Sequence, residues 1–220
     1  MILFFDTETT GFWADKLPVD HPQQCRVVQI GALMVDDQAE GRPEVARLDT
    51  IIYQPYDVPE VAANIHKVTT ERCQRYGVNE EAAMEVFFDM VDMADMIVAH
   101  NYQFDSKVLR GTFGRLAATK QGIDATQLML PQTTDVFAGK PYYCTMLNSV
   151  DVCKIPNKNR YRGYSWPKLE EAMRRLLGRE PTNAHNAIGD VIDCKDLFFY
   201  LQDLELEQAY KDSLDPAEQA

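Results

Sequence analysis

The sequence predicts a single α/β domain with a mixed five-stranded sheet flanked by helices. Three segments with strand character come first, and two further short strands then alternate with helical segments. The 220 residues are 45% hydrophobic and 25% charged, which is the composition of a globular domain with a sizeable core. This composition excludes fibrous, collagen-like and largely disordered proteins.

The strand predictions rest on short apolar runs and on β-branched residues. The first run has the character of a buried strand and ends at the carboxylate of Asp6. The second and third are rich in β-branched residues and are joined by a turn around residues 37–41, which predicts an antiparallel hairpin. The predicted strands cover residues 2–5, 26–36, 44–53, 96–99 and 142–145.

Four helices are predicted from apolar periodicity and from end signals. The first has apolar residues on one side and an acidic start that suits the helix dipole, and the second begins at a cap residue, Asn101. The third has a proline in its first turn and stops at Gly178. The predicted helices cover residues 79–93, 101–118, 167–177 and 187–210.

One domain is expected over residues 1–210, followed by an acidic tail over residues 211–220. Residues 119–141 lack periodicity and contain glycines and prolines, so they predict an insertion or a long loop.

Cysteine usage and hydropathy bound the compartment in which the protein acts. The five cysteines lie far apart and form no Cys-x-x-Cys pair, which predicts reduced thiols in the core rather than a zinc or redox motif. No apolar run approaches the ~18 residues that cross a bilayer, so no membrane partner is expected. The start of the chain lacks the basic segment of a signal peptide, which predicts a cytoplasmic location.

The distribution of charge is more informative than its sum. A net charge of −12 argues against nucleic-acid binding, because phosphate affinity comes from Lys and Arg. Residues 154–168 nevertheless carry five basic side chains and no acid, with tyrosines and a tryptophan between them. That mixture is typical of loops that grip a sugar-phosphate backbone and stack bases, although such a loop can also be merely solvated. The basic residues are Lys154, Lys158, Arg160, Arg162 and Lys168.

Four carboxylates and one histidine lie at predicted strand ends and helix starts. Asp6 and Glu8 are two residues apart at the end of the first strand, so both face the same side. Asp105 lies near the start of one helix, and Asp190 lies in the first turn of the last helix. His185 precedes Asp190 by five residues, which indicates a loop position rather than the same helix face.

This set of residue types suits metal-assisted phosphoryl chemistry. Hard divalent cations such as Mg²⁺ or Mn²⁺ prefer oxygen ligands. Two such ions ~3.5–4 Å apart stabilise both the attacking and the leaving oxygen of an in-line displacement. A histidine beside them can take a proton from the attacking water near neutral pH. Each residue alone has a commoner structural explanation, so the hypothesis depends on their combination.

Three segments together resemble the exonuclease motifs of the DnaQ-like DEDDh family. They are Phe-Asp-Thr-Glu-Thr-Thr-Gly at 5–11, His-Asn-Tyr-Gln-Phe-Asp at 100–105 and His-Asn-Ala-Ile-Gly-Asp at 185–190. Residues 64–69 resemble that family's His-Gly-Ile segment, with Lys67 in place of the glycine. Residues 166–172 also resemble members of the proofreading type.

The resemblance implies a ribonuclease H-like fold and a two-metal 3′-to-5′ exonuclease. By this resemblance Asp6, Glu8 and Asp190 would hold the tighter ion, Asp6 would bridge to the second ion, and Asp105 would act at that second ion. His185 would be the general base. A sister group has Tyr three residues before the last Asp, where this chain has Ala187, so the histidine version is favoured.

The resemblance also implies a set of substrate-binding residues. Thr7, Thr9 and Thr10 would lie against the terminal nucleotide, and His66, Asn101 and Phe104 would shape its pocket. Lys158, Arg160 and Arg162 of the basic loop are expected beside the cleft, where they would bind the substrate backbone.

The natural substrate and partners stay open at this point. We expect DNA 3′ ends as the substrate of a proofreading or repair enzyme, with an RNA-trimming exonuclease as the alternative. A non-catalytic module that binds nucleic acid or a polymerase is a third possibility. Residues Gln127 to Pro131 resemble peptides that dock on the bacterial sliding clamp, but the Leu-Met-Leu run can equally cover the protein's own core.

Overall fold

A computed structural model describes residues 1–157 and 163–213 of the chain. Its centre is one mixed five-stranded sheet with the strand order β3-β2-β1-β4-β5. β1 pairs antiparallel with β2, and β2 with β3, whereas β1–β4 and β4–β5 are parallel. The strands are β1 Ile2–Thr9, β2 Val27–Val35, β3 Glu44–Ile51, β4 Met96–Ala99 and β5 Tyr142–Cys144. The predicted mixed sheet of five strands is confirmed.

Helices lie on both sides of this sheet. The described helices are α1 Glu60–His66, α2 Thr70–Tyr76, α3 Glu80–Met93, α4 Tyr102–Gln121, α5 Thr145–Asn148, α6 Val150–Cys153, α7 Leu169–Ala172 and α8 Ala187–Ser213. The predictions of α3, α4 and α8 are confirmed to within a few residues. Asn101 precedes α4 as predicted, but it has a left-handed backbone (φ 65°) and its side chain makes no capping hydrogen bond.

Strand β1 is longer than its apolar run predicts. The prediction ended at Phe5, whereas the strand continues through Thr9 because its polar residues still pair with β2, for example Glu8 opposite Gln29. Asp6 and Glu8 therefore lie inside a strand rather than beyond its end. Their alternation still directs both side chains to the same face.

The two faces of β1 pack against different helices. Leu3 and Phe5 belong to the core cluster that contains residues of α3 and α4. Ile2 and Phe4 belong to a second cluster that contains residues of α8. Asp6 and Glu8 continue the alternation of Ile2 and Phe4, so they face α8.

The elements that the sequence did not reveal are short. α1, α2, α5 and α6 have only four to seven residues each, too few for a periodic apolar pattern. The single helix predicted over 167–177 is in fact α7 followed by a π-helical turn, Met173–Leu177. It ends at Gly178, as predicted, where φ is 67°.

The predicted insertion over residues 119–141 begins with the last residues of α4 and contains one 3₁₀ turn, Leu130–Gln132. Leu128 and Leu130 pack beside Val19, Ala118 and Ala125 in a small apolar cluster. The two leucines of the clamp-like segment are thus half-buried against the protein itself, which favours the core-covering interpretation of that segment.

Two further expectations concern cysteine and hydropathy. All five cysteines are buried and free, as the sequence predicts. Among the described residues, none of the helices combines the length and the apolar character needed to span a bilayer.

The N-terminus of α8 lies directly over Gly31 in β2. A Cβ atom at Gly31 would lie 2.6 Å from the carbonyl carbon and 2.7 Å from the carbonyl oxygen of Ala187, so only glycine permits this approach. Gly31 is also the β-sheet partner of Asp6. The contact therefore determines how close the first turn of α8 comes to β1.

We predict that Gly31→Ala destabilises the protein by about 1–3 kcal/mol, because backbone atoms of α8 must move away from the added methyl group. Urea unfolding measures the effect, with Val45→Ala on the exposed part of β3 as the control. An unchanged unfolding midpoint for Gly31→Ala would contradict the close approach.

Candidate active site

Three carboxylates converge on the α8 side of the sheet. Asp6 and Glu8 come from β1, and Asp190 comes from the first turn of α8. One oxygen from each lies within 4.8 Å of the others, and all three residues are half-buried. Sequence spacing placed Asp6 and Glu8 on one face, and the structure brings Asp190 to them.

The loop before α8 is held in place by several hydrogen bonds. The backbone N–H of His185 donates to Asp190 Oδ2 at 3.2 Å, and His185 itself has a left-handed backbone with φ 62°. Asn186 Nδ2 donates to Gln29 Oε1 at 3.3 Å, which ties the loop to β2. These bonds fix the orientation of the Asp190 carboxylate before any ligand binds.

Asp193 anchors the preceding part of the same loop. Its fully buried carboxylate accepts hydrogen bonds from Thr182 N at 2.8 Å and Thr182 Oγ1 at 2.6 Å. Arg179 adds an ion pair at 2.9 Å. Sequence analysis did not identify this anchor, because an acid inside an amphipathic helix carries no distinctive signal.

Asp105 reaches the group from the other side of β1. It lies in the first turn of α4 and is 3% exposed. The backbone N–H and the hydroxyl of Thr7 donate to its Oδ1 at 3.1 and 2.6 Å. Thr7 points away from the face that carries Asp6 and Glu8, so Asp105 approaches from the α4 side and is not part of the tight cluster of three.

Burial raises the pKa values of all four carboxylates, and neighbouring negative charges add to this effect at Asp6, Glu8 and Asp190. Burial raises the pKa of Asp6 well above its usual range, and the charges of Asp105, Asp190 and Glu8 raise it further. Burial, with the charges of Asp190 and Asp105, raises the pKa of Glu8 to about 8. Burial likewise raises the pKa of Asp105 and of Asp190 to about 7. The site is thus short of positive charge.

The donor set fits divalent cations. The ion pairs among residues 1–157 and 163–213 involve other acids, so none of these four carboxylates has a lysine or arginine partner there. Clustered carboxylate oxygens without a basic partner are the ligands that Mg²⁺ and Mn²⁺ prefer.

His185 lines a cleft beside the carboxylates. The cleft has a volume of about 440 Å³ and also contains Asp6 and Asp190. The side chain of His185 is exposed, so it can reach a water molecule or a substrate in the cleft. The other lining residues are His100, Asn101, Met146, Trp166, Pro167, Lys168, Leu169, Glu170, Pro181 and Ala184.

A second pocket of about 320 Å³ adjoins the site at Glu8. It contains five of the six residues expected around a terminal nucleotide: Thr7, Thr9, Thr10, His66 and Phe104. The sixth, Asn101, lines the neighbouring cleft instead. The predicted substrate residues are therefore divided between two adjoining depressions.

Most polar groups of this second pocket are engaged within the protein. His66 Nδ1 accepts from Val68 N at 3.1 Å, so Nε2 carries the proton and donates to the carbonyl of Thr9 at 3.2 Å. Burial lowers the pKa of His66, which keeps the ring neutral. Thr10 Oγ1 accepts from Arg26 N at 3.0 Å. These bonds give the pocket a fixed shape.

Apolar residues that sequence analysis missed complete the second pocket. Phe12 is 90% exposed at its rim, with its ring 6.3 Å from that of Phe104. Val61 and Ile65 project from α1 and are also exposed. Two apolar residues four positions apart indicate one face of a helix, but helix α1 was not predicted, so the spacing of Val61 and Ile65 was not recognised as a surface feature.

Part of the predicted basic loop lies outside the described residues. This is the case for Lys158, Arg160 and Arg162. Of the remaining basic residues of the loop, Lys168 lines the cleft that contains His185.

Comparison with known families agrees with this geometry. The profile of the RNase_T family, described as an exonuclease family, matches residues 3–198. The chain belongs to this exonuclease family. The resemblance to DnaQ-like exonucleases is thereby confirmed, and membership supports a nuclease that acts on nucleic acid. No curated protein matches the sequence significantly.

Solved exonuclease structures share the fold. E. coli exonuclease I in complex with a dT13 oligonucleotide is 19% identical, with a TM-score of 0.61 over 91% of this chain and 40% of that chain. An apo exonuclease I is 18% identical, with a TM-score of 0.62 over 91% and 41% of the two chains. The similarity supports the ribonuclease H-like fold. The chain spans only about 40% of the length of these structures.

The raised pKa values make the stability of the cation-free exonuclease domain depend on pH. Acids whose pKa is higher in the folded state bind more protons than in the unfolded chain, so stability falls as pH rises from about 4 to about 8. Glu8→Gln removes one of the repelling charges. In EDTA at pH 8 the variant is therefore expected to melt several degrees above the wild type, and this difference should vanish at pH 5.

Thermal unfolding at both pH values, with and without Mn²⁺, measures this effect. Asp89→Asn serves as the control because Asp89 is exposed and lies outside the site. Mn²⁺ should stabilise the wild type more than Glu8→Gln. If Glu8→Gln were less stable than the wild type at pH 8 in EDTA, the repulsion argument would be wrong.

Proposed function

We propose that this chain is a metal-dependent 3′-to-5′ exonuclease that releases nucleoside monophosphates from DNA 3′ ends. The observation that carries the proposal is the convergence of Asp6, Glu8 and Asp190 beside His185, at the junction of a cleft and a nucleotide-sized pocket. Family membership supports the same reaction class.

The carboxylates are proposed to hold two divalent cations, Mg²⁺ or Mn²⁺. Asp6, Glu8 and Asp190 would hold the tighter one, with Asp6 shared between both and Asp105 acting at the second. When bound, such cations stabilise the negative charge that develops on the phosphate and activate water as a nucleophile. The raised pKa values of all four acids support this assignment, because bound cations would offset the cost of ionising these buried carboxylates.

His185 is proposed as the general base. Its exposed imidazole lines the cleft with Asp6 and Asp190, and its backbone N–H already donates to Asp190. Mg²⁺ prefers oxygen ligands, so the imidazole is better suited to accept the proton of the attacking water. The left-handed loop position leaves the ring free of the α8 helix.

The second pocket is proposed to hold the terminal nucleotide. Its aromatic and aliphatic lining, in which the rings of Phe12 and Phe104 meet edge to face, can contact the faces of a base. Thr9, Thr10 and His66 shape the pocket through internal hydrogen bonds. Adjacency to Glu8 would bring the scissile phosphate to the carboxylates.

DNA is the favoured substrate. E. coli exonuclease I, which shares the fold, has been crystallised with dT13 and dA16 oligonucleotides. The test is digestion of end-labelled single-stranded DNA, duplex DNA and RNA in Mg²⁺ or Mn²⁺. A ladder shortening from the 3′ end of single-stranded DNA is expected, whereas faster loss of RNA would indicate an exoribonuclease.

Asp6→Asn is expected to lower the single-turnover rate by at least about 10³-fold, since it removes a charge at the proposed shared ligand. In EDTA the variant should be at least as stable as the wild type, because a buried carboxylate near other negative charges has been removed. Asp89→Asn is the matched control and should digest normally. Retention of a tenth of the wild-type rate by Asp6→Asn would contradict the metal assignment.

His185→Ala is expected to lower kcat by about 10²–10⁴ while leaving Mn²⁺ binding almost unchanged, since the residue is proposed to accept a proton rather than bind metal. Calorimetric titration of Mn²⁺ into both proteins separates the two roles. Loss of one ion's binding in His185→Ala would identify His185 as a ligand instead.

A further inference from the structure

A network of hydrogen bonds links His100, Thr145, Cys194 and the carbonyl group of Pro167 beside the cleft. His100 follows the last residue of β4 and contacts Thr145 Oγ1 through Nδ1 at 2.9 Å and the carbonyl oxygen of Pro167 through Nε2 at 3.0 Å. Thr145 Oγ1 in turn lies 3.5 Å from the Sγ atom of Cys194 in α8. Cys194 lies one helical turn after Asp190, so this hydrogen-bond network connects the helix that carries Asp190 with residue 167.

The direction of each hydrogen bond in this network follows from which atoms can donate a proton. A carbonyl oxygen can only accept, so His100 Nε2 carries the proton and donates to Pro167. Nδ1 is then the acceptor, and the hydroxyl of Thr145 donates to it. Because that hydroxyl has one proton, the thiol of Cys194 must donate to Thr145 Oγ1.

This hydrogen-bond network needs a neutral His100 and a protonated Cys194, and burial favours both states. Desolvation lowers the pKa of His100 to about 4, so the imidazole is neutral at ordinary pH. Burial also raises the pKa of the Cys194 thiol, which therefore keeps its proton. Thr145 is completely buried and Cys194 nearly so, which shields the bonds from water.

Pro167, which this hydrogen-bond network holds, forms one wall of the cleft together with Trp166 and Lys168. Trp166, Pro167 and Lys168 line this cleft, which also contains Asp6 and Asp190. Trp166 is 66% exposed, and Lys168 is the one lysine or arginine among the described lining residues. The wall continues into a hairpin base, where Ser165 N donates to Ile155 O at 2.8 Å.

We propose that His100 is a positioning residue that holds the Trp166–Lys168 wall at the correct distance from the carboxylates, so that the wall can contact the substrate strand. The indole offers a stacking face for a base and the ammonium group offers a cation for a phosphate. In this proposal His100 acts through its hydrogen bond to Pro167 and not through contact with substrate or metal. The contact of the wall with nucleic acid rests on the proposed function, whereas the placement of the wall by His100 does not.

The first test compares kinetic constants of the full-length variants on a single-stranded DNA oligonucleotide. His100→Ala removes both bonds and should raise KM about tenfold while kcat stays within about twofold. His100→Gln retains a donor and an acceptor and should stay within about threefold of the wild-type KM. Thr145→Val removes the bond to Nδ1 and should have an intermediate effect. His21→Ala, outside the cleft, should change neither constant.

The second test needs no nuclease activity. The chain has two tryptophans, so 5-fluorotryptophan labelling gives two ¹⁹F resonances, and Trp166→Phe identifies that of Trp166. In His100→Ala, and more weakly in Thr145→Val, the Trp166 resonance should shift or broaden while the Trp13 resonance stays in place. If no protein digests DNA, the proposed function has failed but this measurement still decides the role of His100.

A merely structural histidine predicts a different pattern. In that case the melting temperature of His100→Ala would fall, while KM and the Trp166 resonance of the folded protein stayed unchanged. That result would overturn the proposal. So would a raised KM with an unmoved Trp166 resonance, because substrate affinity would then change without movement of the wall.

Discussion

The close contact between Gly31 and the first turn of α8 is the constraint on which the site depends. Burial raises the pKa of each of the four acids, and neighbouring negative charges raise the pKa of Asp6, Glu8 and Asp190 further, so holding the ionised carboxylates together costs free energy. Backbone packing holds the carboxylates together. The peptide group of Ala187 lies against Gly31 of β2, Gly31 is the β-sheet partner of Asp6, and Asp190 follows Ala187 within one helical turn. Burial of apolar residues on both faces of β1 stabilises the arrangement against this repulsion.

Strand β1 also separates two tasks by its alternation. Asp6 and Glu8 face α8, where Asp6 lines the cleft with His185 and Glu8 lines the second pocket, whereas Thr7 faces α4 and fixes Asp105. The same strand then continues into Thr9, whose carbonyl binds His66 in the second pocket. The proposed metal-binding carboxylates and the proposed nucleotide pocket are thus neighbours because consecutive residues of one extended strand contribute to both. A shift of β1 by one residue would exchange the two sets of side chains.

Sequence alone predicted the parts of this molecule whose signals are long or repeated. Strand β2 and helices α3 and α8 have continuous patterns, and the acids of the site could be chosen because three motifs agreed in order and spacing. Helix α1 was missed because seven residues show no period, and with it the exposed pair Val61 and Ile65. Asn101 lines the cleft, whereas the other five expected substrate residues line the second pocket. This separation depends on tertiary packing, which sequence spacing does not reveal.

The electrostatics of the cleft explain how an acidic chain can bind a polyanion. The formal net charge is −12, and the four site carboxylates account for four of these negative charges when all are ionised. Among the described residues, Lys168 is the only lysine or arginine lining the cleft, so the cleft by itself offers a phosphate little positive charge. Two divalent cations at the carboxylates would cancel those four negative charges. Cation and nucleic acid must then strengthen each other's binding by the same factor, because coupling between two ligands is reciprocal. Under the proposed function, substrate affinity would therefore be governed by divalent-ion occupancy more than by the overall charge of the surface.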